Sequence, residues 1–115
     1  MTTLTEMRKA KVESFLPKIM EAREGTFRPQ AAIFRRPIGW LNAENDFIAF
    51  FHDLRDARGY VSLIEKMEHI WTLVEIHWNG DWPGVGTAIE FNGGMLVSRL
   101  GTHQFSTNYP QIGDA

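Results

Sequence analysis

Apolar residues recur at three- and four-residue steps over the first 22 positions of the chain. They are Leu4, Met7, Val12, Phe15, Leu16, Ile19 and Met20. This spacing predicts an amphipathic helix over residues 4–22. Thr3 or Thr5 can cap its start, and Gly25 follows its end. Because Pro17 lacks the N–H that a helix interior needs, we expect a kink or a break there, leaving one short helix and one turn.

The next stretch predicts a brief strand and a second helix. The apolar run 31–34 is closed by Arg35, Arg36 and Pro37, which suits a short strand. A bend at Pro37 and Gly39 follows. Beyond it, a helical face over residues 42–59 is formed by Phe47, Ile48, Phe51, Leu54 and Arg58. On that helix, His52 and Asp53 are expected at the surface.

The remainder of the chain is rich in β-branched and aromatic residues, as strands are. Strands are predicted over residues 60–70, 71–78, 85–91 and 95–105. Turn-forming sequences lie between them at 79–81, 83–84 and 92–94. Their glycines accept positive φ, so the last three strands should form an antiparallel meander. With no linker or repeat, residues 1–115 are expected to form a single α+β domain.

Composition narrows the function classes. The 115 residues are 43% hydrophobic and 23% charged, which is typical of a soluble globular domain. The formal net charge is -2 and the basic residues are scattered, so no nucleic-acid partner is expected. The chain has no cysteine, which excludes disulfides, thiolate zinc sites and a cysteine nucleophile. No segment approaches the roughly 20 apolar residues of a membrane span, so we expect a cytoplasmic protein without a membrane partner.

Three stretches resemble the nuclear-transport-factor-2-like superfamily, which includes the SnoaL-like and ketosteroid-isomerase-like proteins. Residues 27–39 and 44–54 are similar to its pattern of an aromatic residue, an Ala-rich strand, a Pro-hydrophobic-Gly bend and a lid helix. Residues 86–99 are similar to its penultimate strand, Asn-Gly turn and last strand. The resemblance covers most of residues 12–108. It implies N-terminal helices packed on a curved, mostly antiparallel sheet, a cone-like α+β barrel.

The acid and base residues of the family are not matched one for one. Arg36 stands where ketosteroid-isomerase-like members carry a carboxylate base just before the bend. The penultimate strand offers Gly86, Thr87 and Ala88 where those members have an acidic oxyanion donor. His103 stands near the end of the final strand, where polyketide cyclases of the family have an aspartate. None of these three acid–base schemes therefore transfers intact to this chain, which favours a non-catalytic member of the family.

Four residues are the candidates for catalysis. His103 is a general acid or base, or a histidine at a sheet end or dimer interface. Strand alternation puts Glu75 and His77 on one face, where they either orient an imidazole or belong to a solvated strand surface. Arg36 either holds a carboxylate, enolate or phosphate, or lies at the surface. We expect no metal ion, and no cofactor motif is present.

Aromatic residues are the candidates for substrate binding. Trp40 and Trp78 are expected in the wall of a pocket, Phe51 on its lid, and Tyr60 as a polar contact. The leading hypothesis is a cofactor-independent enzyme for a small, largely apolar, oxygenated ligand, acting by isomerisation, cyclisation, dehydration or hydration. The alternative is a non-catalytic homodimer or partner-binding module of the same fold. An inhibitor or immunity-type protein is a third possibility.

Overall fold

The five described strands form one open antiparallel sheet, and a helix packs against each of its two faces. The computed structural model describes residues 3–39 and 44–103. In chain order, these residues form α1 (Leu4–Ala22), β1 (Ala31–Pro37), β2 (Asp46–Phe51), α2 (Leu54–Ser62), β3 (His69–Asn79), β4 (Trp82–Asn92) and β5 (Met95–His103). The strand order is β2-β1-β3-β4-β5, with every neighbouring pair antiparallel. The predicted α+β class and the β3–β4–β5 meander are confirmed.

The first helix is unbroken, so the break expected at Pro17 is wrong. The hydroxyl of Thr3 caps α1 by accepting a hydrogen bond from the Glu6 N–H at 3.1 Å. Pro17 lies inside the helix on its exposed side, whereas Phe15 and Ile19 are completely buried. A proline in a helix interior costs about 3 kcal/mol. Burial of large apolar side chains on both sides of Pro17 outweighs that cost.

The helix expected over residues 42–59 is also wrong, because Asp46–Phe51 is the strand β2. This strand pairs with β1, with Ala31 opposite Phe51. Its large side chains pack into the cores on both sides of the sheet, which the apolar run 47–51 allows. The true helix α2 starts later. Asp53 is its N-cap and accepts from the Asp56 N–H at 2.8 Å.

Two further boundaries differ from the sequence prediction. Residues 60–62 form the last turn of α2, and residues 63–68 connect it to β3, so the strand predicted over 60–70 is wrong. The break predicted at Pro83 and Gly84 lies within β4. The described pairing of β4 with β5 ends at Val85 opposite His103. Pro83 lies beyond that end, where its missing N–H costs no hydrogen bond to β5.

The two faces of the sheet have separate cores. On the side that we call the α1 face, α1 packs against Ala32, Phe34, Val74, Ile76, Val85 and Ala88. On the opposite side, the α2 face, α2 packs against Ala31, Ile33, Trp71, Leu73, Ile89 and Phe91. Among the described helices, neither is long and apolar enough to cross a bilayer. Because successive side chains of a strand point to opposite faces of the sheet, each polar strand residue is assigned to the α1 face or the α2 face by its position in the strand.

Candidate functional site

The α1 face carries a buried ion pair between β1 and β4. Arg36 donates from Nε and Nη2 to Glu90 Oε2 at 3.3 and 3.1 Å. The two side chains are only 8% and 7% exposed. Because β3 separates β1 from β4, both side chains reach across it beneath α1. A buried pair gives little net stability once its desolvation cost is counted, so such a pair marks a place to look for function.

Two further polar side chains complete the surroundings of Glu90. Ser98 of β5 donates from Oγ to Glu90 Oε1 at 2.7 Å. Lys11 of α1 places Nζ 4.0 Å from Glu90 Oε2. Both carboxylate oxygens are thus engaged, and four elements of the fold meet at this one carboxylate. Glu90 fixes the positions of the three side chains around it.

Lys11 is the member of this group that reaches solvent, with 22% of its side chain exposed. The pKa of its ammonium is lowered, first because burial disfavours the charged form and second because the Arg36 guanidinium is close. Glu90 opposes this shift without cancelling it. A lysine with a lowered pKa exchanges its proton more readily near neutral pH than an ordinary lysine does, which is what acid–base catalysis requires.

Thr72 adds a hydroxyl that the fold does not use. Its residue pairs with Glu90 on β4 and with Phe34 on β1, and it is completely buried. Within the described residues, Oγ1 has no hydrogen-bond partner. Since buried hydroxyls are nearly always paired, this unpaired hydroxyl is an exception that the packing of the sheet does not explain. We refer to Lys11, Arg36, Thr72, Glu90 and Ser98 together as the charged cluster.

Of the residues singled out from the sequence, Arg36 lies in the charged cluster. It is buried, so the surface alternative is wrong, and it is held by Glu90 of the chain itself. Trp78 lies on the same face near the far end of β3, where its Nε1 donates to the Pro29 carbonyl at 2.8 Å. The Arg23 guanidinium lies 4.7 Å from the Trp78 ring centre. The structure does not bring Trp78 and Arg36 together.

Glu75 and His77 share the α2 face, as the alternation predicts. Oε2 of Glu75 lies 3.5 Å from Nε2 of His77, and Thr87 donates to Glu75 Oε1 at 3.4 Å. A Cβ on Gly86 would lie only 2.5 Å from Glu75 Oε1 and 2.6 Å from His77 Nε2, so both side chains lean over a glycine that leaves them room. The sheet separates this pair from Arg36.

The other expected site residues are distributed around the fold. Tyr60 belongs to α2 instead of a strand, and its ring centre lies 5.4 Å from that of Phe51 on the α2 face. Phe51 ends β2 and is not on a lid helix. His103 is the last residue of β5, with its Cα opposite that of Val85. Trp40 lies outside the described residues. The expected residues that the structure describes therefore do not converge on one site.

Sequence reasoning missed Lys11, Thr72, Glu90 and Ser98. Glu90 lies two positions after Ala88 on β4. Alternation from the buried Ala88 places Glu90 on the same face, and this signal is readable from the sequence. Likewise Lys11 precedes Phe15 by four residues, which puts it on the edge of the apolar stripe of α1.

Neither a metal site among the described residues nor a similar protein assigns a function to this chain. In residues 3–39 and 44–103, no group of three or more His, Asp or Glu side chains is placed to hold a metal ion. No protein-family model, curated protein or solved structure matches this chain.

Proposed function

We propose that this protein binds a small, largely apolar, oxygenated molecule on the α1 face and moves a proton on it. The observation that carries the proposal is the position of Lys11, which is desolvated beside the buried Arg36–Glu90 pair and still reaches solvent. Proton transfer of this kind serves isomerisation, cyclisation or dehydration and needs no cofactor.

Each member of the charged cluster has a role in this proposal. Lys11 Nζ takes or gives the proton, and Thr72 Oγ1 donates a hydrogen bond to the oxygen of the ligand. The Arg36 guanidinium supplies positive charge, which stabilises an enolate-like oxygen in a buried site. Glu90 and Ser98 hold the cations in position through the bonds described above. In this proposal Lys11 takes the role of the family's carboxylate base, and Arg36 and Thr72 take the role of its acidic oxyanion donor.

We also propose that the α1 face is the concave face of a cone-like sheet of the nuclear-transport-factor-2-like kind. Three features support this proposal: an open antiparallel sheet, a long helix over one face, and an acidic residue of the penultimate strand directed under that helix. The bend after β1 also follows directly on Arg36, at Pro37 and Gly39.

The proposal is tested by thermal denaturation with a panel of polycyclic ketones, phenols, terpenoid epoxides and carboxylic acids. One class should raise the Tm saturably, because a ligand stabilises the folded state that binds it. Lys11→Met should weaken the binding of that class by about tenfold, the value of one hydrogen bond to a charged group. Lys9→Met, on the exposed side of the same helix, is the matched control and should bind like the wild type.

Two results would contradict the proposal. One is a panel in which no class shifts the Tm of the wild-type protein. The other is a ligand that stabilises Lys11→Met and Lys9→Met equally.

One observation favours a second function, self-association through β5. This strand is an edge of the described sheet, and its Met95 and Val97 side chains are 70% and 54% exposed. Unpaired strand edges with apolar side chains bind other strands. A second copy of this chain presents the same edge, so two copies related by a two-fold axis can pair β5 with β5.

A further inference from the structure

A cleft lies at the other end of α1, away from the charged cluster. It has a volume of about 460 Å³ and lies between the last turns of α1 and the start of β2. Its lining residues are Lys18, Glu21, Ala22, Glu44, Asn45, Asp46 and Phe47. Sites for small molecules typically have volumes of about 300–1,000 Å³. The cleft is therefore large enough for an organic ligand.

The charges around this cleft favour a cation. Lys18 Nζ lies 3.3 Å from Glu44 Oε1 and donates a hydrogen bond to the Asn45 carbonyl, so the one lysine of the lining is engaged. Glu21 and Asp46 add two more carboxylates. The last turn of α1 carries no basic residue, and the C-terminal end of a helix bears partial negative charge. The three carboxylates of the lining and the helix end therefore outweigh the single positive charge of Lys18.

Asn45 gives the cleft a specific acceptor. The residue is only 5% exposed, and within the described residues its Oδ1 is buried with no hydrogen-bond partner. A buried amide oxygen without a donor destabilises the protein, and a bound ammonium group that donates to it offsets this cost. The ring of Phe47 adds an aromatic surface to the lining, and such rings attract organic cations.

We propose that this cleft binds a small organic amine that carries two or more ammonium groups. One ammonium donates to Asn45 Oδ1, and another lies beside the carboxylates of Glu21 and Asp46. The carbon chain between the ammonium groups lies against Phe47. A linear diamine satisfies all three features, whereas a metal ion has no carbon chain to lie against Phe47. This site acts independently of the charged cluster.

The test is a titration of the ¹⁵N-labelled full chain with 1,5-diaminopentane, followed by NMR and calorimetry. We expect saturable shifts of the Asn45 backbone and side-chain amide signals. Two probes separate the contributions: 1,5-pentanediol has the same chain length without charge, and Mg²⁺ has charge without a chain. Neither should reproduce the shifts.

Substitutions then locate the binding. Asn45→Leu, which keeps the volume and removes the oxygen, should weaken diamine binding about tenfold. Glu21→Gln and Asp46→Asn should each weaken it about two- to fivefold and keep the protein testable if Asn45→Leu does not fold. Glu24→Gln, an exposed carboxylate outside the lining, is the matched control. Equal binding by Glu21→Gln, Asp46→Asn and Glu24→Gln, equal shifts with Mg²⁺, or no saturable binding would overturn the proposal.

Discussion

At the scale of the residue, the buried hydroxyl of Thr72 lowers the stability of the fold and is needed by the proposed function. Thr72→Val keeps the shape of the side chain and removes the unpaired buried hydroxyl. We expect it to raise the free energy of unfolding by about 1 kcal/mol, because burying an unsatisfied polar group costs roughly this much. It should also weaken any ligand whose oxygen bonds to Oγ1. Urea denaturation and ligand titration measure the two effects.

Thr87→Val is the matched control for this substitution. The Thr87 hydroxyl donates to Glu75, so its removal should lower the free energy of unfolding. An equal loss of stability in Thr72→Val would mean that its hydroxyl has a partner in the folded chain, which contradicts its proposed availability to a ligand.

At the scale of the element, substitution of Pro17 tests whether packing stabilises α1 against the local cost of a proline in the helix. Pro17→Ala supplies a backbone N–H and removes the ring from an exposed helix position. We expect the free energy of unfolding to rise by about 1–3 kcal/mol, below the full proline cost in part because proline also restricts the unfolded chain. Denaturant unfolding with an unchanged m-value would measure it. No gain would show that the helix does not need this hydrogen bond.

The helices and strands also show which parts of the fold can be predicted from local sequence patterns. The Thr3 cap of α1, the turn at Gly93 and the β3–β4–β5 meander follow local chemistry and are predicted from the sequence, whereas the Asp53 cap of α2 is not. The run of apolar residues in β2 is compatible with a helix and with a doubly buried strand. Only the pairing with β1 decides between them, and that contact is not local.

The candidate site likewise depends on contacts between residues distant in the chain, which local sequence patterns do not predict. Alternation within one strand is enough to pair Glu75 with His77, and the structure confirms it. The Arg36–Glu90 pair joins residues 54 positions apart, on strands that a third strand separates. No spacing rule connects residues so distant in the chain.

At the scale of the whole molecule, the exposed edge of β5 bears on the oligomeric state. If two copies pair through β5, sedimentation at increasing concentration should show a dimer, and Val97→Lys should shift it to monomer because edge charges oppose strand pairing. Leu63→Lys is the control, because Leu63 lies in the connector after α2 and is 81% exposed. It should leave the dimer intact. A wild-type protein that stays monomeric at high concentration would contradict this second function.

The charged cluster should also affect the pH dependence of the whole fold. The folded-state pKa of Lys11 is lowered below its unfolded value near 10.5. Between the two values the unfolded chain binds more protons, so the contribution of Lys11 to the free energy of unfolding rises as the pH increases through that window. Below the folded-state pKa, the burial penalty on the charged form remains in full. Lys11→Met should abolish this rise.

The most direct test of the proposed proton-transfer site is an NMR titration of the Lys11 side chain. Its ¹³Cε resonance, assigned by comparison with Lys11→Met, reports the protonation of Nζ in the folded protein. Because burial and Arg36 both disfavour the ammonium, the proposal predicts a midpoint below 10.5 that moves upward in Arg36→Met. A midpoint at or above 10.5, or one that Arg36→Met leaves unchanged, would contradict it.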